Sequence, residues 1–171
     1  MNQDNFYTLS FNSNNSELVV EVIVEYNDQD LFSGQYNPSE LKVKKSQGRN
    51  VYEIVRLQDV FNFLVSPKVL AALELNGLSG WKSYGVQSDI ELVGYRGFQC
   101  TGKCGFPVRP KQSGFVTGYE FDIETWDGSD FFIPESTMMI ICTERAKQVL
   151  DKLNIKNIEL ENLRSHEWYN A

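Results

Sequence analysis

An α+β fold with a mostly antiparallel sheet and two or three helices is what this sequence predicts. Three observations carry that expectation. Apolar residues alternate with polar ones at a period of two in several runs. Two segments set a capping residue ahead of apolar positions at helical spacing. Asn/Ser-rich and Asp-Gly turns separate runs of strand-forming residues.

In chain order, FYTLSF, NSNN and SELVVEVIVEY read as a hairpin and its turn. Val20, Val22, Val24 and Tyr26 alternate with Glu21, Ile23 and Glu25, which turns the glutamates to a partly solvated face. Asp28 to Lys45, polar and holding Gly34 and Pro38, reads as a loop. Its Lys42, Lys44 and Lys45 suit a sheet edge, where lysine discourages further pairing. Leu57, Val60, Phe61 and Leu64 have i, i+3, i+4, i+7 spacing and predict helix. Ser66-Pro67 then caps and starts a helix through Val69, Leu70 and Leu73, stopped at Asn76-Gly77.

LSGWKSYGV leads into a strand, and Ile90 to Cys100 reads as another. Residues 101–114, TGKCGFPVRPKQSG, form a loop long enough to suggest function. Tyr119, Phe121, Ile123 and Thr125 alternate with Glu120, Asp122 and Glu124 and predict a strand. Asp127-Gly128 then predicts a hairpin into Asp130 to Ile133. MMIIC, residues 138–142, predicts a buried strand. Thr143 caps a helix with Ala146, Val149, Leu150 and Leu153 on one face. Glu144 and Lys152 suit its dipole. IKNIEL predicts a last strand before the tail SHEWYNA.

Lys plus Arg number 16 against 23 Asp plus Glu, a formal charge of −7. With 42% hydrophobic residues the chain is an ordinary globular mixture, which excludes disorder. The length suits one α+β domain over residues 1–171, with 1–49 a candidate N-terminal β subregion. The negative balance argues against nucleic acid or an anionic membrane as partner. The opening MNQDNFYTLS lacks the basic and apolar regions of a secretory signal. No run reaches the roughly 18 apolar residues of a membrane span. Cys100, Cys104 and Cys142, an odd count, therefore predict free thiols in a reducing cytoplasm.

Several strings invite chemistry. Gly97-Phe-Gln-Cys-Thr-Gly102-Lys103-Cys104 matches a phosphate-binding loop except at its last position. Cys104 replaces the hydroxyl that would hold Mg²⁺, and Pro107 and Pro110 sit where the helix must follow, so no nucleotide is expected. Cys100 and Cys104, with Cys142 and the distant His166, make a poor zinc set, so neither metal nor cofactor is expected. His166, the lone histidine, reads as a solvated tail residue rather than a base. Asp127 and Asp130 flank the expected turn, where aspartate commonly bonds backbone, and also stand beside an acidic strip. That strip is Glu120, Asp122 and Glu124, with Trp126 following on the same side. Such a face would steer a basic protein partner, with tryptophan as anchor.

A longer pattern runs through residues 69–163, a little over half the chain. Its order is Leu73-x-x-x-Gly77-Leu-Ser-Gly80-Trp81-Lys-x-Tyr84-x-Val86, then Tyr95, then Thr101-Gly-Lys-Cys-Gly105. Trp126-Asp127-Gly128-Ser129-Asp130-Phe-Phe-x-Pro134 and Ile140-Ile-Cys-Thr143-Glu144-Arg145 follow. The pattern resembles the immunity proteins of bacterial polymorphic toxin systems. It is sharpest at WDGSDFF and at the apolar strand entering Thr-Glu-Arg. The resemblance implies a cytoplasmic non-enzyme that binds and neutralises a cognate toxin, and it supplies no active-site residues.

The expected function is thus a non-enzymatic protein-binding module for a cognate, basic partner. Its candidate partner face is Glu120, Asp122, Glu124, Trp126, Asp127 and Asp130. The alternative is a small-molecule binder or enzyme with a pocket at the 101–114 loop.

Overall fold

The computed structural model describes residues 3–12 and 14–170. Met1, Asn2 and Ala171 lie outside the described residues, as does Ser13 of the expected NSNN turn. The fold is α+β. Its strands form a closed six-stranded barrel, a five-stranded sheet and a two-stranded ribbon.

The barrel is built from β2 (Val19–Val22), β3 (Glu40–Gln47), β4 (Ile54–Leu57), β5 (Phe63–Val65), β6 (Trp81–Ser88) and β7 (Arg96–Cys100). Their order is β2-β3-β6-β7-β5-β4, closed by parallel pairing of β2 with β4. Inward side chains fill the lumen: Val20, Leu41, Val43, Val55, Leu57, Leu64 and Tyr84 are all buried. Closure removes both edges. Lys42, Lys44 and Lys45 therefore lie on β3, an interior barrel strand, and not on the expected sheet edge. They are exposed because Leu41 and Val43 take the inward positions.

The five-stranded sheet has β1 (Phe6–Phe11), β8 (Gly102–Cys104), β10 (Phe131–Pro134), β11 (Ile140–Thr143) and β12 (Ile158–Asn162), ordered β12-β1-β11-β10-β8. The ribbon pairs β9 (Gly114–Thr117) with β13 (Glu167–Asn170). Helices α1 (Asp28–Ser33), α2 (Pro67–Leu75) and α3 (Glu144–Leu153) and 3-10 turns at Gln3–Asn5 and Ile123–Thr125 complete the described elements. Among the described residues no helix is long and apolar enough to cross a membrane.

One hydrophobic cluster joins barrel to sheet. Phe98 of β7 stacks on Phe63 with ring centroids 5.0 Å apart and on Trp81 at 5.9 Å. It meets Phe131 of β10 edge-on at 5.5 Å. Val69 and Leu73 of α2 and Ala146 and Leu150 of α3 seal the same cluster. Such aromatic and aliphatic burial is the main favourable term in folding.

Several sequence expectations are corrected. The sheets are mixed, a point the antiparallel expectation left out: β2–β4, β3–β6 and β8–β10 run parallel, and the other paired strands run antiparallel. FYTLSF and the following run do not form a hairpin. β1 is an inner strand between β11 and β12, whereas β2 belongs to the barrel. Between β1 and β2, Glu17 is buried and ion-paired to Arg56 of β4. Of the strands before residue 50, β1 lies in the five-stranded sheet and β2 and β3 in the barrel. Asp28 to Lys45 is not a loop. Asn27 caps α1 by accepting the Asp30 N–H at 3.0 Å, and β3 follows.

The segment 57–64 is a hairpin connection and not a helix. Asp59 Oδ1 accepts the N–H of Phe61 at 2.9 Å and of Asn62 at 2.8 Å, folding the chain back from β4 into β5. The expected strand at 119–126 is reduced to a single bridge, Pro107 to Phe121, followed by a 3-10 turn at Ile123–Thr125. The Asp127-Gly128 hairpin is absent, since β10 pairs with β11 and β8 instead. Of the expected strand Ile90 to Cys100, only Arg96–Cys100 is strand. The 101–114 stretch carries β8 and opens β9 rather than being all loop.

Candidate functional site

Tyr119 and Phe121 are buried, and they set the direction of their neighbours. Tyr119 N–H donates to Leu163 O at 2.8 Å, and Val108 N–H donates to Glu120 O at 2.8 Å. With the backbone fixed and both aromatics inward, Glu120 and Asp122 face out. Glu124 is also exposed, on the 3-10 turn. Among the described residues none of these three carboxylates forms an ion pair. Asp122 Oδ1 accepts the Glu124 N–H at 3.1 Å, which holds the turn beneath them.

Trp126 does not share their side. Its ring meets Phe6 edge-on with centroids 5.2 Å apart, and its indole N–H donates to Ser129 O at 3.1 Å. The indole is half-buried and packs against the cluster holding Phe121 and Phe132.

Asp127 is exposed but committed. Oδ2 accepts the Lys103 N–H at 2.8 Å, and Oδ1 accepts the Ser129 N–H at 3.0 Å and hydroxyl at 2.5 Å. Partial burial opposes its charge, yet these bonds outweigh it and hold the carboxyl below its ordinary value.

Asp130 is buried and makes no turn bonds. Its Oδ2 accepts the Ser79 N–H at 2.9 Å and Nη1 of Arg145 at 2.9 Å. Its Oδ1 accepts the Thr143 hydroxyl at 2.9 Å. The Ser79 hydroxyl lies 3.3 Å from Oδ2 and accepts the Asp130 N–H at 3.1 Å. Arg145 reaches back with Nη2 to the carbonyls of Asn76 and Gly77 at the end of α2. Three separated strings, around Leu78-Ser79, WDGSD and Thr-Glu-Arg, therefore meet at one carboxylate. Sequence reasoning missed Ser79 and Arg145 as its partners.

Trp126, Gly128, Thr143, Glu144 and Arg145 line a cleft of about 250 Å³ beside this junction. Glu144 accepts the Tyr7 hydroxyl at 2.5 Å and the Gln148 amide at 3.0 Å, and these bonds hold its carboxyl below the usual range. The cleft thus presents an anionic Glu144 beside the half-exposed Arg145 guanidinium.

The remaining candidates are structurally committed. Burial pushes the thiols of Cys100, Cys104 and Cys142 up to about 12. Among the described residues no three His, Cys, Asp or Glu side chains are placed to share a metal ion. His166 Nδ1 lies 2.8 Å from Glu161 Oε2. The phosphate-loop-like string spans β7 and β8, with strand where a helix would be needed. Its glycines answer to packing. A Cβ on Gly97 would sit 1.8 Å from the Tyr84 ring, and one on Gly102 would sit 2.0 Å from Ser129 Oγ. Within 101–114, Phe106 and Val108 are exposed, while the 250 Å³ cleft is lined by other segments. No protein-family model matches the chain, and no curated protein matches it.

Proposed function

We propose that this protein is a cytoplasmic protein-binding module of the immunity type, which neutralises a basic cognate partner by occlusion rather than by chemistry. The carrying observation is the unpaired acidic face of Glu120, Asp122 and Glu124, anchored from behind by buried Tyr119 and Phe121. Three unneutralised carboxylates on a fixed backbone raise the local concentration of a cationic surface and speed its docking. Exposed Asp127 follows this face in the sequence, while Trp126 and Asp130 line the 250 Å³ cleft instead. The withdrawn thiols and the paired His166 support a role without nucleophilic catalysis. The resemblance of residues 69–163 to polymorphic-toxin immunity proteins points the same way.

The test is direct binding of the protein encoded beside this one in its genome, measured by surface plasmon resonance. Saturable binding that weakens as salt rises supports the reading. Failure of that protein to bind at low salt overturns it.

A further inference from the structure

A second cleft, of about 340 Å³, is lined by residues of both the barrel and the five-stranded sheet. That volume lies at the small end of the roughly 300–1,000 Å³ typical of ligand sites. Its walls are mixed: Leu9 and Phe11 of β1, Phe61 of the β4–β5 turn and Met138 ahead of β11 supply apolar surface, and Ser10 and Arg56 supply polar surface. Arg56 is the one basic side chain among its lining residues. None of them belongs to the acidic face.

Arg56 is pre-oriented. Its Nε–H donates to Glu17 Oε1 at 2.6 Å, and Nη2 pairs with the same oxygen. Glu17 is 1% exposed, and its other oxygen accepts from Asn157 Nδ2 at 3.2 Å. A guanidinium offers five donors in a fixed plane. One edge is used here, and among the described residues Nη1 has no hydrogen-bond partner. The guanidinium carbon also lies 6.0 Å from the Phe11 ring centroid. Glu17 already balances the charge, so the cleft offers donors rather than net positive potential.

The β1 backbone is open at the same place. Asn12 N–H donates to Asn157 O, and Leu163 N–H donates to Phe6 O, so even-numbered residues of β1 bond to β12. Odd-numbered ones turn toward β11. That ladder ends at Leu9–Ile140, one step short of Phe11 and Met138. The main-chain groups of Phe11 thus point to the side where β11 has ended.

The lip is strained. Val60 is a β-branched residue with φ of 68°, a conformation rarely adopted without glycine, and it is 54% exposed. Asp59 enforces it by bonding the next two N–H groups and receiving the Tyr26 hydroxyl. Strain kept in place by surrounding bonds is characteristic of ligand clamps.

The geometry points to a binding site for a small apolar molecule carrying one carbonyl or carboxylate oxygen. Its body packs between Phe11, Phe61 and Met138, and its oxygen accepts from Nη1 of Arg56. A polyanion finds no second cation in the lining, so nucleotides do not fit this chemistry.

The experiment uses the full chain labelled with ¹³C at methionine methyls, titrated with phenylacetate, phenylacetamide and toluene. Met138 is assigned by Met138→Leu. A saturable Met138 shift with either oxygen-bearing probe is expected, and their relative affinities identify the head as carboxylate or neutral carbonyl. Arg56→Lys keeps a cation for Glu17 but loses the planar fork, and should weaken these probes about tenfold. Ser10→Trp, at an exposed lining position, should abolish the shift even if Arg56→Lys fails to fold. The proposal is overturned if no probe gives a saturable shift, if the shift survives Ser10→Trp, or if toluene binds as well as the other two.

Discussion

Arg145 Nη1 lies 2.9 Å from Asp130 Oδ2, tying the first turn of α3 to the residue that opens β10. The same carboxylate also holds Ser79 and Thr143, so it joins the ends of α2, β10 and β11. Asp130→Ala would strip the Ser79 N–H and the Thr143 hydroxyl of a charged acceptor at a part-buried junction, at about 1.5 kcal/mol for each lost bond. Arg145 is 56% exposed and water replaces much of its loss. The expected destabilisation is about 3 kcal/mol for Asp130→Ala and about half that for Asp130→Asn, measured by urea unfolding. A loss below about 1 kcal/mol for the alanine variant would show that this junction does not hold the fold.

The thiols give a pH prediction. Burial raises all three from 9.0 to about 12, so the folded chain keeps its protons where the unfolded chain loses them. Their contribution to stability is complete below pH 9 and is lost as pH rises toward about 12. Burial shifts the hydroxyls of Tyr84 and Tyr119 in the same direction, which steepens the loss. Urea midpoints should therefore fall progressively above pH 9. At pH 8 a thiol reagent should label the native protein slowly and reach three thiols per chain only in denaturant. Rapid native labelling at any of the three contradicts their burial.

Local signals were legible and long-range ones were not. Both longer helices were legible because a cap is a short-range device. Ser66 Oγ accepts the Val69 N–H at 3.3 Å, and Thr143 Oγ1 accepts the Ala146 N–H at 3.3 Å. Strand alternation at β1 was also legible, but a period of two does not say which strand lies alongside. FYTLSF alternates equally well against β2 or against β11 and β12. The spacing of Leu57, Val60, Phe61 and Leu64 satisfied a helix template, although an Asp59-centred turn between two short strands buries all but Val60 and Phe61 of that set. Asp130 looked like a turn residue because its neighbours are Gly and Ser. Its main partner, Ser79, is 51 positions away. Glu17 likewise carries no local mark of burial, since Arg56 is 39 positions distant. The exposure of Glu120, Asp122 and Glu124 was legible, but their common strand was not: Phe121 makes a single bridge and Glu124 lies on a 3-10 turn.

Val60 yields a prediction of opposite sign. A β-branched residue in the left-handed region carries strain of about 1–3 kcal/mol, and glycine relieves it. Glycine also raises the entropy of the unfolded chain and removes a half-exposed isopropyl group, offsetting part of that gain. Val60→Gly should raise stability by about 0.5–1 kcal/mol, whereas Val60→Ala should change it less. A clear destabilisation by glycine would mean that the side chain contributes packing that outweighs its backbone.

The acidic face supplies the remaining prediction, in which folding and binding must separate. Glu120, Asp122 and Glu124 are exposed and form no ion pair among the described residues. Asp122 has one local duty, accepting the Glu124 N–H. Replacing all three with lysine should therefore shift stability by under about 0.5 kcal/mol per position, with Asp122 at the upper end. Docking of a basic partner should respond far more strongly, because the steering field reverses sign over a Debye length of about 10 Å at 0.1 M salt. The association rate should fall at least about tenfold at low ionic strength, with a smaller difference in high salt. Trp126→Ala behaves otherwise. The indole braces Phe6 and Phe132, so its removal costs folding stability first and should quicken dissociation rather than slow association. Stopped-flow association of folded variants separates the two effects. Normal low-salt association of the triple lysine variant would leave the strip a solvated surface and move the partner face elsewhere on the molecule.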